Sequence, residues 1–260
     1  MQPTEPHPVT AETFEGTITT TQRQVAVETA VNIVYGTVPY AVMMATPADL
    51  EDFAVGFSLG EAVVTGRADI RGITVEQAPD GLRLVVDLAP TRFHALLARR
   101  RAMAGRTSCG ICGIEDLAAL PRTPPAPTQA IPVPLEAIRR ALHALPDHQP
   151  LNKETRAVHA AAWSTMDGTI THAREDVGRH NALDKLLGAL LSAGTDPATG
   201  FLLITSRVSY EMVEKAAAFR ARTLVAISAP TTLGIQRARD HGLTLIGIAR
   251  QDGITRFTEP

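Results

Sequence analysis

Three stretches near the carboxyl terminus constrain this chain most: FLLITS at 201–206, TLVAIS at 223–228 and LTLIGIAR at 243–250. Each is apolar on consecutive positions rather than alternate ones, the pattern of strands buried on both faces in a parallel sheet. Helical patterns separate them, YEMVEKAAAFRAR after the first and TTLGIQRARDHG after the second. Strand–helix alternation of this kind predicts an open α/β sheet. Such sheets bind ligands beyond the carboxyl ends of their strands, here the loops at 207–210, 229–232 and 250–253.

The rest of the chain divides around this pattern. Residues 1–14 are polar and proline-bearing and predict a loose tail. Residues 15–120 read as an N-terminal α+β domain, with strand-like runs at 17–22, 25–36 and 38–46. A helix is predicted over 47–64, with Thr46 as cap, Pro47 in its first turn and Asp49 completing a capping box. A hairpin follows around Asp80–Gly81, then a helix with a basic end over 91–104, then the loop GRTSCGICG. The proline-dense segment 121–134 reads as a linker. Residues 135–260 form the α/β domain: helices over 135–145 and 153–162, a hairpin at Asp167–Gly168, a helix over 178–194, and the three strand units.

Composition excludes several classes. Net charge is −2 and aromatics are 4%, so neither nucleic acid nor an anionic membrane is a bulk electrostatic or stacking partner. No apolar run reaches the roughly 18 residues of a spanning helix. The opening MQPTEPHPVTAETF lacks the basic start and apolar core of a secretory signal, which points to the cytoplasm, where thiols stay reduced.

The chain has two cysteines, Cys109 and Cys112, three apart. A CxxC can be half of a zinc site, a dithiol redox couple or a sulfur carrier. Zinc needs four ligands, and no second CxxC or spaced histidine pair is obvious. A redox turn normally sits in a βαβ pattern, whereas this pair follows a basic helix and is flanked and divided by glycines. Sulfur carriage needs an exposed, movable thiolate. Gly105, Gly110 and Gly113 allow movement, and Arg99, Arg100, Arg101 and Arg106 favour the thiolate.

A second motif is EDVGRHNALDK, residues 175–185. Gly178, Arg179, His180 and Asn181 stand at a helix start, where backbone N–H groups and nearby cations suit an anion; the alternative is a capped helix with a solvated polar face. Arg207 and Arg250 sit where parallel strands end and could clasp phosphates. The segment AVHAAA around His159 is like a zinc deaminase helix, but Ala161 stands where that chemistry needs a glutamate. His159 reads equally well as a satisfied core histidine.

Taken together, SCGICG, TRAVHAAA, REDVGRHNALDKLLG, TSRVSYEMVEKAAA, AISAPTTLGIQRA and LTLIGIAR resemble, in order, the formate dehydrogenase accessory sulfurtransferases of the FdhD/NarQ family. VPYAVMMATPADLEDFAVGFSLGEAVV resembles that family's N-terminal half, so the likeness spans roughly residues 24 to 258. The resemblance implies an α/β fold with a three-layer, cytidine-deaminase-like larger domain and a smaller mixed α+β N-terminal domain. It implies a homodimer, and a protein required for formate dehydrogenase activity. Such a protein takes sulfur from a cysteine desulfurase as a persulfide and passes it to Mo-bis(molybdopterin guanine dinucleotide), with no metal of its own. The persulfide cysteine would be Cys109, with Cys112 beside it. The cofactor-binding stretch would be Ile248, Ala249, Arg250, Gln251, Asp252 and Gly253. The sequence departs from the family pattern at Thr155-Arg156-Ala157, Ser206–Arg207 and Glu28–Ile33. Two further readings stay open: a cofactor-binding chaperone without sulfur transfer, and a zinc-stabilised structural protein.

Overall fold

The structure, a computed structural model, describes residues 1–102 and 132–259. The glycine-divided loop with Cys109 and Cys112, and the linker up to residue 131, lie outside the described residues.

Strands β1 (Thr4–Glu12), β2 (Ile18–Ala26), β3 (Thr29–Tyr35) and β4 (Val38–Ala45) precede helix α1 (Leu50–Gly60). Strands β5 (Ile70–Ala78) and β6 (Gly81–Leu88) make the hairpin expected at Asp80–Gly81, and α2 (Pro90–Ala102) follows. Beyond residue 131 come α3 (Leu135–Ala144), α4 (Pro150–Thr155), β7 (His159–Thr165), β8 (Ile170–Asp176) and α5 (Arg179–Ser192). The chain closes with β9 (Gly200–Ile204), α6 (Tyr210–Ala218), β10 (Thr223–Ala226), α7 (Thr232–Asp240), β11 (Thr244–Arg250) and β12 (Gly253–Thr258).

The three apolar stretches pair in parallel, β9 with β10 and β10 with β11, and every residue of β9 and β10 is buried. They form the centre of a six-stranded sheet of order β12-β11-β10-β9-β7-β8, in which β7, β8 and β12 pair antiparallel. A second sheet has order β4-β3-β6-β5, and β1 and β2 form a separate ribbon. One hydrophobic cluster runs from the four-stranded sheet (Ile33, Leu84) through α1 (Phe53) and α5 (Leu186) to one face of the larger sheet (Leu202, Leu224). A smaller cluster on the opposite face holds Ile138 of α3 against Phe201, Leu203 and Val225. Among the described residues, no helix is long and apolar enough to cross a membrane.

Three local expectations differ from the structure. Residues 4–12, expected within a loose tail at 1–14, form β1 and pair with β2. Both faces of that ribbon are largely exposed, so no apolar alternation marks it. The helix expected over 153–162 ends at Thr155, where Arg156 turns left-handed at φ 58°. The alanines that follow lie in β7, with Ala160 to Ser164 buried, so burial in a sheet overrides the helical propensity of alanine. His159 accordingly lies on a strand, not on a deaminase-like helix. Thr46 does not cap α1: the helix starts at Leu50 behind a left-handed Asp49, and Thr46 is drawn to the larger sheet. There its N–H donates to Asp176 Oδ2 (3.0 Å), and its Oγ1 accepts from the Val177 N–H (3.1 Å).

Candidate functional site

The site begins with chain direction. β7 runs opposite to β9, so His159 at its start lies level with the carboxyl end of β9. β8 pairs His159 with Asp176, which brings the end of β8 and the start of α5 to the same rim. The loop after β9 joins the loop after β10 through a bridge between Val208 and Pro230. The Ile248 N–H donates to the Ser228 carbonyl at 3.0 Å, which ties in the end of β11. One edge of the sheet thus gathers Gly178–Asn181, Arg207 and Ile248–Gly253 with His159. From β8 to β11 is four strand steps, roughly 19 Å at the usual strand spacing.

At the α5 end of this rim, a cationic and a neutral side chain each hold a buried donor. Arg179 Nε and His180 Nε2 are buried without a hydrogen-bond partner among the described residues. Burial, reinforced by the Arg179 guanidinium and Lys215, pushes the His180 imidazole down to about 4, so it is neutral at pH 7. His159, half-buried, is lowered by burial and then by Arg179. Its Nδ1 lies 3.4 Å from Thr205 Oγ1, while the Ala160 N–H donates to that hydroxyl at 3.0 Å. Glu211, at the start of α6, places Oε2 4.0 Å from His180 Nε2. Burial works against its ionisation, but the Ser209 hydroxyl, donating at 2.7 Å, helps hold it below the usual carboxylate range.

At the other end, Arg207 and Arg250 are exposed, as are Gln251, Asp252 and Gly253, which complete the tight turn from β11 into β12. Ile248 is backbone-strained, with φ 50° in a β-branched residue, and its side chain is 40% exposed while Ala249 is buried. Beside it, Gly247 leaves no room for a side chain: a Cβ there would meet Phe257 and Pro230 Cδ at 2.9 Å. Strain of this sort costs on the order of 1–3 kcal/mol and collects at ligand sites.

The polar residues after GRHN do not form a solvated helix face. Every residue of α5 from Asn181 to Leu190 is buried. Lys185 Nζ, fully enclosed, lies 2.6 Å from Asp176 Oδ2 and donates to the Thr46 carbonyl at 2.9 Å. Asp176 Oδ1 accepts from the Gly178 N–H (2.8 Å) and from Asn181 Nδ2 (2.9 Å), and Asn181 Nδ2 also reaches the Met44 carbonyl at 2.8 Å. One turn on, Lys215 Nζ sits 2.8 Å from both oxygens of Asp184, whose carboxyl burial pushes up to about 6 despite that partner. Asp176, Asp184, Lys185 and Lys215 therefore hold the rim rather than face a ligand. The sequence does carry a signal for this: in ALDKLLGALL the neighbouring residues are so apolar that no helix face is left for solvent, so a charge there must be paired.

Comparison with known proteins agrees with this architecture. Residues 26–260 match the model of the FdhD/NarQ family. The sulfur carrier protein FdhD of Xanthomonas euvesicatoria pv. vesicatoria is 49% identical over 245 residues, covering 94% of this chain and 87% of the relative. That of Variovorax paradoxus is 47% identical over 236 residues, covering 91% and 85%. A crystal structure from Desulfotalea psychrophila, of a protein assigned as a formate dehydrogenase accessory protein, superimposes with TM-score 0.77 at 24% identity. It covers 99% of this chain and 97% of that one, and it speaks for the fold alone.

Proposed function

The chain belongs to the FdhD/NarQ family, and from that premise we propose that it carries sulfur for a formate dehydrogenase in the cytoplasm. Cys109 takes the sulfur from a cysteine desulfurase. Its thiolate attacks the outer sulfur of the donor's persulfide; a new S–S bond forms on Cys109, and the donor leaves as its own thiolate. Cys112 stands three residues away in the same glycine-divided segment. The acceptor is Mo-bis(molybdopterin guanine dinucleotide), held as cargo along the carboxyl edge of the sheet.

The observation that carries this reading is the rim itself. It offers the unpartnered buried donors Arg179 Nε and His180 Nε2 at one end and the exposed Arg250 at the other. A ligand with several phosphates spread along its length suits that spacing, because arginine meets phosphate in a charged, bidentate way. Gly178 precedes α5 as its cap residue, and the N–H groups of the first helical turn after it lack intrahelical acceptors, which adds to the pull on an anion. Neutral His180 can donate one N–H without competing for sulfur, since only a thiolate serves as carrier.

Calorimetry with GDP as probe tests the cargo site. Arg207→Ala, Arg250→Ala and His180→Ala are each expected to weaken binding by about 1–3 kcal/mol, the range for a lost hydrogen bond to a charged group. Unchanged GDP affinity in all three would remove the rim from the cargo site.

A further inference from the structure

A rim that binds phosphate has no need of a carboxylate, yet Glu211 stands on it. It is the second residue of α6, just past the end of β9, and its side chain is 35% exposed. Burial opposes its charge, but the Ser209 hydroxyl, its own N–H, His180 and Arg179 outweigh this, so Glu211 is ionised at pH 7. A carboxylate in a first helical turn is favourable in itself. At the rim, however, its charge repels any phosphate drawn to Arg179.

Glu211 is not neutralised by its neighbours. The Ser209 hydroxyl donates to Oε2 at 2.7 Å, and His180 Nε2 stands 4.0 Å from the same oxygen, too far for a hydrogen bond. His180 is neutral at pH 7, so the two form no ion pair. Arg179 is near enough to favour the charge on Glu211, but its Nε has no partner among the described residues. Among those residues no side chain donates to Oε1. An ionised carboxylate only accepts hydrogen bonds. The part of a ligand that lies against Glu211 must therefore bring N–H donors, which phosphate lacks.

We propose that Glu211 is a specificity-determining residue, whose carboxylate accepts from the amino and ring N–H groups of a 2-amino-4-oxopyrimidine ring while the rim's arginines hold phosphate. This rests on the rim being the cargo site. Guanine and pterin both present that edge, and the proposed cargo contains both. Two adjacent N–H donors match the two oxygens of one carboxylate. Hypoxanthine lacks the amino group and offers a single donor. Adenine turns a ring-nitrogen lone pair toward the same place and is repelled. A site built around a ligand's N–H discriminates strongly against the analogue without it, because the carboxylate is then left unpaired.

Calorimetry on the full chain tests this with two ligand pairs, GDP against inosine diphosphate and 6-carboxypterin against its 2-deamino analogue. The unaltered chain should bind GDP roughly tenfold or more tighter than inosine diphosphate, as expected for a hydrogen bond to a charged group. Glu211→Gln should lower GDP affinity to that of inosine diphosphate and leave inosine diphosphate bound no more weakly. Its thermal midpoint should match the unaltered chain, since the side chain is partly exposed. A preference that depends on Glu211 in the pterin pair alone would also support the proposal and would make pterin the ring that is read. Should neither pair show such a preference while Arg250→Ala still weakens GDP binding, the proposal is overturned and the rim stands. Unchanged GDP affinity in Arg207→Ala, Arg250→Ala and His180→Ala would remove the rim, and the proposal with it.

Discussion

Replacing Gly56 with alanine is expected to destabilise the fold by about 3 kcal/mol or more, at the upper end of overpacking costs. Helices α1 and α5 cross with their backbones in contact. A Cβ on Gly56 would stand 1.7 Å from the Asp184 carbonyl oxygen, and one on Gly188 would stand 1.9 Å from that of Asp52. Neither obstacle is the far end of a side chain that can swing aside. The helices would have to part by more than about 1 Å, opening the seam that joins the four-stranded sheet to the larger one. The gain in helix propensity from Gly to Ala, about 1 kcal/mol, is too small to offset this. Gly66→Ala is the control, because a Cβ there meets nothing within 4 Å and its φ of −169° is ordinary extended backbone. Urea denaturation of both variants should show a large fall in midpoint for Gly56→Ala and almost none for Gly66→Ala. Equal midpoints would mean the crossing is looser than described.

Lys185→Met should cost about 3–5 kcal/mol, the range for breaking a buried ion pair from one side. The pair with Asp176 is wholly enclosed, with both side chains at 0% exposure. The substitution leaves Asp176 with three hydrogen-bond donors but no cation, and it leaves the Thr46 carbonyl with the Ala48 N–H as its remaining donor. Adding Asp176→Asn should return part of the loss, because the remaining group is then neutral. A double variant less stable than the single one would contradict the ion-pair account, as would a single-variant loss below about 1 kcal/mol. The pair also locks the end of β4 against the start of α5, so it positions the GRHN segment without touching a ligand.

Much of this was legible in the sequence, for identifiable reasons. Strands buried on both faces have to be apolar at every position, so β9, β10 and β11 announced themselves and placed Arg207 and Arg250 at strand ends. Tight turns need particular residues, so both hairpins were visible at Asp80–Gly81 and Asp167–Gly168. The ribbon was not visible, because it buries almost nothing and its prolines read as breakers. The alanines of β7 were misread because nothing local tells a buried alanine in a sheet from one in a helix. The partners of Asp176 and Lys185 were hidden for another reason: Thr46 and Met44 lie more than a hundred residues away in the chain.

The proposed sulfur carriage rests on Cys109. Mass spectrometry of the intact protein after incubation with a cysteine desulfurase and cysteine tests it most directly. The unaltered chain should gain about 32 Da per sulfur atom, reversible by thiol reductant, as befits a persulfide. Cys109→Ala should gain nothing, and Cys112→Ala should still load. Undiminished labelling of Cys109→Ala would contradict the account.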